Sequence, residues 1–495
     1  MVVVVLVLAA GCGFNLTVHD GGDFWAFNYS TNKDYSIRAD KMAENNYCTI
    51  WVERGNALGA MYAQEVANEY AAMYEKMINV FGDYYEDDNG NSFNTMQWAD
   101  FYGDNDGKLC ILLLDIKDSY HLNPLSGYVA GYFWSRDFYD MNNSNNRDMI
   151  YIDTNPGFTT PEHRQTAYST LAHEMQHLMN FITSRLIRSN SLMDTWIDEG
   201  LSSAAEWLYA GKHIDSRIDW YNDDPTGWIS YGNNFYLWDN YSNQDPDPIL
   251  DEYSTVYLFF QWLRIHTTNY DQDYGPEDVW YWIAHSPYPD YRAVTEEAAI
   301  CLENDDYLVW GNLLRDWLAA NYINNSSGPY GYKNELTLKA HYFSYNDETT
   351  CKLYPGEGVY SYVNTLQQVP PSGTGDNGNI KYAGLATDSV MTSGSYIHES
   401  NALLTYNINT FLKGGLEEGI ITGASPPASI HPAAGVSGRS VLSSNPIAVS
   451  GADMLRRNGF DSLAYMSPFT LSSQRTGADF LPPVRKPVRT RRGTK

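Results

Sequence analysis

The chain has 495 residues, of which 43% are hydrophobic and 15% aromatic, which excludes a wholly disordered protein and suggests about two to four domains. Its formal net charge is −28, with the acid concentrated before residue 345. So acidic a body repels phosphate backbones, so no nucleic-acid partner is expected.

Residues 1–11 read as a signal peptide: the apolar run Val2 to Ala10 is too short to span a bilayer but suits a signal core. Ala9, Ala10 and Gly11 directly before Cys12 resemble a bacterial lipobox. The expectation is an exported bacterial protein, surface-exposed or released, held at the membrane periphery by lipid on Cys12. A simple cleaved signal beside an unmodified cysteine is the alternative. Cys48, Cys110, Cys301 and Cys351 allow one or two disulfides in an exported protein, and Cys110, inside an apolar run, equally suits a buried thiol.

Residues 12–56 form an expected β-rich segment ending in the alternating strand Cys48–Glu53. An α/β unit is expected over 57–190. Its first element, Ala57 to Phe81, spaces Met61, Ala63, Val66, Tyr70, Met73, Met77 and Val80 as an amphipathic helix. Strands are expected at Leu109–Leu114, Gly127–Trp134 and Met149–Ile152. The segment Gly127–Phe133 reads either as an edge strand that could pair with an extended peptide or as an internal strand. Asp87–Asn91 and Asp104–Gly107 offer oxygen ligands for a structural Ca2+, although tight turns explain their Asp, Asn and Gly content without metal. A second helix opens at Pro161, capped by Thr160, and runs to about Ser184.

From 191 to 345 the pattern is helical, with helices expected at Trp196–Tyr209, Tyr253–His266, Pro276–His285 and Asn304–Tyr322. A linker over Val369–Gly378 falls within 346–481, a Ser/Gly/Ala-rich region read as a weak β module or as unstructured chain. Residues 482–495 are a basic tail, read equally as a surface-associated extension and as an incomplete gene end. The fold class is α+β, and a monomer is expected.

Chemistry concentrates in His173-Glu174-Met175-Gln176-His177. Residues four apart on a helix share a face, so both imidazoles can converge on one Zn2+ while Glu174 lies beside them, placed to take a proton from an attacking water. Leu171, Met175, Leu178 and Ile182 form a separate apolar stripe. A catalytic zinc needs a third protein ligand and an open position. Glu199, in Trp196-Ile-Asp-Glu-Gly-Leu-Ser-Ser-Ala-Ala-Glu206, is the strongest candidate. Glu206 is its rival, or else a partner of a ligand histidine. Asp198 neighbours Glu199 but points about 100° away.

His173–Phe181 followed by Asp194–Glu206 resembles the gluzincin metallopeptidases, and within them the hyicolysin family of secreted bacterial neutral metallopeptidases. Cys48–Glu53 and Tyr253–Leu263 are similar to that family as well. The resemblance covers roughly residues 14–350 and implies a two-lobed, zincin-like endopeptidase acting on proteins or peptides, with its active helix between an α/β lobe and a helical lobe. It also implies a Tyr or His of the second lobe as transition-state stabiliser. Tyr253, Tyr257 and His266 are the candidates, and the sequence does not rank them. Asp198 stands where many gluzincins carry Asn. An aminopeptidase and an idle surface adhesin on the same scaffold are the competing readings.

Overall fold

The computed structural model describes residues 21–86, 90–120, 127–188, 191–232, 235–238, 249–343, 349–371, 378–397, 401–412, 414–421 and 448–450. The expected signal peptide, Cys12, Asp87 and Asp88 of the first acidic loop, the centre of the linker and the basic tail lie outside these residues.

The class is α+β. Three strands open the described chain: β1 (Gly21–Asn28), β2 (Lys33–Glu44) and β3 (Cys48–Glu53). The helix α1 (Ala57–Phe81) follows, started by the Asn56 side chain accepting from the Gly59 N–H. A short hairpin, β4 (Tyr84–Glu86) and β5 (Ser92–Asn94), leads into α2 (Thr95–Tyr102). Then come β6 (Leu109–Leu114), β7 (Tyr128–Phe133), β8 (Met149–Asp153) and the helix α3 (Pro161–Phe181). These strands form one mixed sheet in the order β1-β2-β3-β6-β8-β7. The pairs β3–β6 and β6–β8 are parallel, while β7–β8 is antiparallel.

Alternation along the strands separates the two faces. Ile50, Val52, Ile111, Leu113, Ile150 and Ile152 pack under α1 and α3 in the large core. Cys110, Leu112, Leu114, Met149 and Tyr151 point the other way, into a smaller cluster with Phe24, Phe27 and Trp134. The helices therefore cover one face only.

After α3, one turn of π-helix (Ile182–Ile187) ends the run that the sequence suggested would stay regular to Ser184. The helices α4 (Thr195–Ala210), α5 (Asp215–Asp223), α6 (Ile249–His266), α7 (Asp278–Ala284), α8 (Tyr291–Cys301) and α9 (Trp310–Ile323) follow. Only α9 and a preceding 3-10 turn (Asp305–Leu308) occupy the span read as one helix from Asn304.

Among the described residues from 349 to 421 the chain forms short antiparallel strands. They are β9 (Thr350–Leu353), β10 (Gly358–Val363), β11 (Gln367–Gln368), β12 (Ile380–Leu385), β13 (Val390–Met391), β14 (Tyr396–Ile397), β15 (Asn401–Asn407) and β16 (Glu417–Ile420). Four of them form the sheet β10-β15-β12-β13, whose Tyr360, Ala402 and Leu404 share the main core with α9 while Val359, Tyr382 and Leu403 build a separate one. Last, β17 (Ala448–Ser450) pairs in parallel with β7 at Tyr128, Val129 and Gly131. Of the two readings of Gly127–Phe133, the internal strand is the one observed.

Cys48, Cys110, Cys301 and Cys351 are buried free thiols, so the disulfides that the sequence allows are not formed among them, and for Cys110 the buried-thiol reading is the one observed. Burial pushes the Cys48 thiol up to about 12, which makes it inert as a nucleophile at neutral pH. No helix among the described residues is long and apolar enough to cross a membrane.

Candidate metal centre

Two helices supply the site. Thr160 accepts from the His163 N–H and Pro161 sits in the first turn, so α3 starts cleanly. Leu171, Met175 and Leu178, each 0–1% exposed, anchor its core side, and burying each is worth about 1.5–3 kcal/mol. His173 and His177 project from an adjacent face toward α4. There Trp196, Ile197, Leu201, Ala204 and Ala205 are fully buried. At Gly200 a β-carbon would fall 2.1 Å from the Phe260 ring, so only a glycine lets α4 approach α6 this closely.

His173, His177 and Glu199 each present one donor atom, all within 4.8 Å of one another and all buried. The two Nε2 atoms stand 3.1 Å apart. Glu199 Oε2 lies 3.2 Å from His173 Nε2 and 3.4 Å from His177 Nε2. Ligands about 2.0–2.1 Å from a tetrahedral zinc are separated by about 3.3–3.4 Å. The triangle observed, 3.1–3.4 Å on a side, is close in size to one face of such a tetrahedron.

The outer partners fix how the rings are turned. His173 Nδ1 is 2.8 Å from Glu206 Oε1, and Glu206 also accepts from Arg217 at 3.2 Å. His177 Nδ1 is 3.1 Å from Asp198 Oδ2 and 3.1 Å from Ser202 Oγ. Asp198 Oδ1 in turn accepts from the Asn180 amide at 2.6 Å. Each outer Nδ1 faces a carboxylate to which it can donate, which leaves each Nε2 able to turn a lone pair toward a cation at the centre of the triangle. Two ring nitrogens 3.1 Å apart in a buried space need a cation or a proton between them.

The electrostatics favour positive charge at that point. Burial by itself lowers an imidazole pKa, yet Glu199 and Glu206 hold His173 up at about 9. Against the same burial, Asp198 and Glu199 raise His177 well above its ordinary value. Glu206 is pulled down despite burial by Arg217 and His173, so it stays ionised.

Glu174 is fully buried, and its Oε2 accepts from the Phe133 N–H at 2.9 Å. Of the three aromatic candidates on α6, the ring of Tyr253 lies 6.1 Å from that of His173. Tyr257 is turned elsewhere: its hydroxyl meets His213 Nδ1 at 3.0 Å and accepts from the Ile214 N–H at 3.1 Å. His266 bonds to the Gly331 carbonyl at 2.8 Å, at the far end of α6. Glu206 faces the outer nitrogen of His173, away from the triangle. Asp198, Asn180, Ser202 and Arg217 were not anticipated as parts of the site. Only the position of Asp198 beside Glu199 hinted at one of them, and the 100° angle argued against it. On α4 that angle carries its carboxylate past Glu199 to the outer nitrogen of His177.

The fold and donor set define an α+β protein with a His-His-Glu group able to hold a metal ion. No family model matches the chain. It is 29% identical over 264 residues to the neutral metalloprotease ShpI of Staphylococcus hyicus, a stretch covering 52% of this chain and 54% of that protein. The chain thus spans about half the length of the curated relative it matches.

Proposed function

We propose that this protein is a zinc-dependent endopeptidase of the gluzincin type, most similar to the hyicolysins, with its active helix α3 between an α/β lobe and a helical lobe. The observation that carries this reading is the triangle of inward-facing donors, 3.1–3.4 Å on a side, from His173, His177 and Glu199. Likeness to a neutral metalloprotease supports the reaction class. Bound zinc would supply Lewis acidity toward a peptide carbonyl and toward the attacking water.

The chain's own groups do the rest. Glu174 accepts the water proton and returns it to the leaving amine, and the Phe133 N–H fixes one of its oxygens meanwhile. Glu206 and Asp198 hold the two imidazoles in the ligating tautomer. Tyr253 is the best-placed of the three to meet the developing oxyanion, since its ring lies 6.1 Å from that of His173, whereas the Tyr257 hydroxyl turns to His213 and His266 lies at the far end of α6.

The same reading includes export and a lipid on Cys12, which metabolic labelling with a fatty acid tests. For the chemistry, casein cleavage should be abolished by 1,10-phenanthroline and restored by zinc. Unimpaired cleavage with the chelator present, or none with one zinc bound per chain, would refute the assignment. N-blocked peptides distinguish an endopeptidase, which cuts them, from an aminopeptidase, which does not.

A further inference from the structure

A second group of acids gathers where α2 ends and β8 begins. Asp100, Asp104 and Asp148 each offer a carboxylate oxygen, and these oxygens lie within 4.8 Å of one another. That separation is about twice the 2.3–2.6 Å bond of calcium to oxygen, so one ion can touch all three. Asp148 is the telling member. It is 1% exposed, and neither of its carboxylate oxygens has a hydrogen-bond partner. Asp104 Oδ1 is likewise buried without one.

The surrounding backbone is shaped to bring these groups together. A β-carbon on Gly103 would fall 2.2 Å from Asp148 Oδ1, so the turn after α2 can lie against Asp148 only with glycine there. Asp100 Oδ1 accepts from the Gly107 N–H at 2.8 Å, which closes the turn around the cluster. Arg147 Nε stands 3.6 Å from Asp104 Oδ2. Burial and Asp106 push the Asp104 carboxyl up to about 6, and burial and Asp104 raise Asp148 well above the carboxylate range. Three carboxylates this close together favour a proton or a cation among them. All three donors are oxygens and none is nitrogen or sulfur, which selects a hard cation.

We propose that Asp100, Asp104 and Asp148 bind one divalent cation of the calcium class, tying the turn after α2 to the residue that precedes β8. The site is separate from the His-His-Glu group and does not depend on the activity assigned to it. Its role is structural, because β8 leads directly into α3.

The test uses the full chain loaded with zinc and freed of other divalent ions. Calcium chloride titrated in a calorimeter should bind once per chain, with a dissociation constant of about 0.1–1 mM or tighter. Terbium should give luminescence on excitation of tryptophan, since Trp98 lies two residues from Asp100 on α2. Both signals should weaken at least about tenfold in Asp148→Asn and in Asp104→Asn, with zinc content unchanged. Calcium at about 10 mM should raise the melting temperature of the parent by a few degrees and leave that of Asp104→Asn in place. Asp104 is on the half-exposed turn, so its variant remains informative if Asp148→Asn does not fold. Parent-like calcium binding in the variants would put the ion elsewhere. No binding at about 10 mM would mean that Asp148 is simply kept protonated, and either result overturns the proposal.

Discussion

Two groups of buried acids in this molecule meet the cost of burial in opposite ways. Removing a carboxylate from water costs several kcal/mol unless it is paired. Around α3 and α4, Glu199, Glu206 and Asp198 each face an imidazole nitrogen at 2.8–3.4 Å, and Arg217 and Asn180 complete the set. At the end of α2, Asp148 is as deeply buried and has no donor at all. The first group is wired to hold rings in fixed orientations whether or not an ion is present. The second lacks that wiring, and only a proton or an ion can balance it. Burial alone, therefore, does not reveal what an acid is for; its partners do.

The sharpest way to break the first group is Glu174→Gln. Glutamine keeps an oxygen to accept the Phe133 N–H but cannot take a proton, so peptide hydrolysis should fall by about 10²–10⁴-fold while metal analysis still finds zinc. Removing the metal by dialysis should cost about 2.7 kcal/mol of stability relative to a chain held at a hundred times its zinc dissociation constant, read as a lower melting temperature that zinc restores. Loosening the wiring should do less: Glu206→Gln and Asp198→Asn are expected to weaken zinc about 10–100-fold, measured against a chromophoric chelator. If neither variant changed the affinity, the contrast between wired and unwired acids would lose its meaning.

The smallest effect comes from a half-buried acid outside both groups. Asp194, at the start of α4, is pushed up to about 7 by burial and by Asp290, and its Oδ2 has no partner. A raised carboxyl pKa means that the folded chain holds the proton more tightly than the unfolded chain. Stability is thus lost as pH climbs from the ordinary carboxylate range through about 7, and it is flat above. Asp194→Asn should melt a few degrees higher than the parent at pH near 8 and about equally near pH 4, by calorimetry.

Much of the fold was legible because local signals agreed. The apolar spacing of α1 and the Thr160-Pro161 start of α3 give the observed first residues, and the alternation in Cys48–Glu53 marks a strand. The helix α5 was not legible: Asp-Ser-Arg-Ile-Asp-Trp-Tyr-Asn-Asp buries only Tyr221, so it lacks an apolar stripe. Past residue 346 the strands are two to seven residues long, and β10 is buried on both faces, so alternation is lost where it was needed. At the site, helical spacing sufficed to pair His173 with His177. It could not separate Tyr253 from Tyr257, which are one turn apart on the same face and part company only when His213 approaches the second. The reach of Asp198 to His177 depends on how α4 lies across α3, which no local pattern encodes.

The approach of α4 to α6 rests on a missing methyl group. With only hydrogen at position 200, the phenyl ring of Phe260 fills the volume a side chain would take, so the spacing between α4 and α6 is set by this one pair. Either residue alone has little freedom to vary: alanine at 200 needs a smaller neighbour at 260, and a smaller residue at 260 leaves a void. Across related chains the two positions should therefore drift as a unit, inherited as one fitted joint rather than as two independent letters.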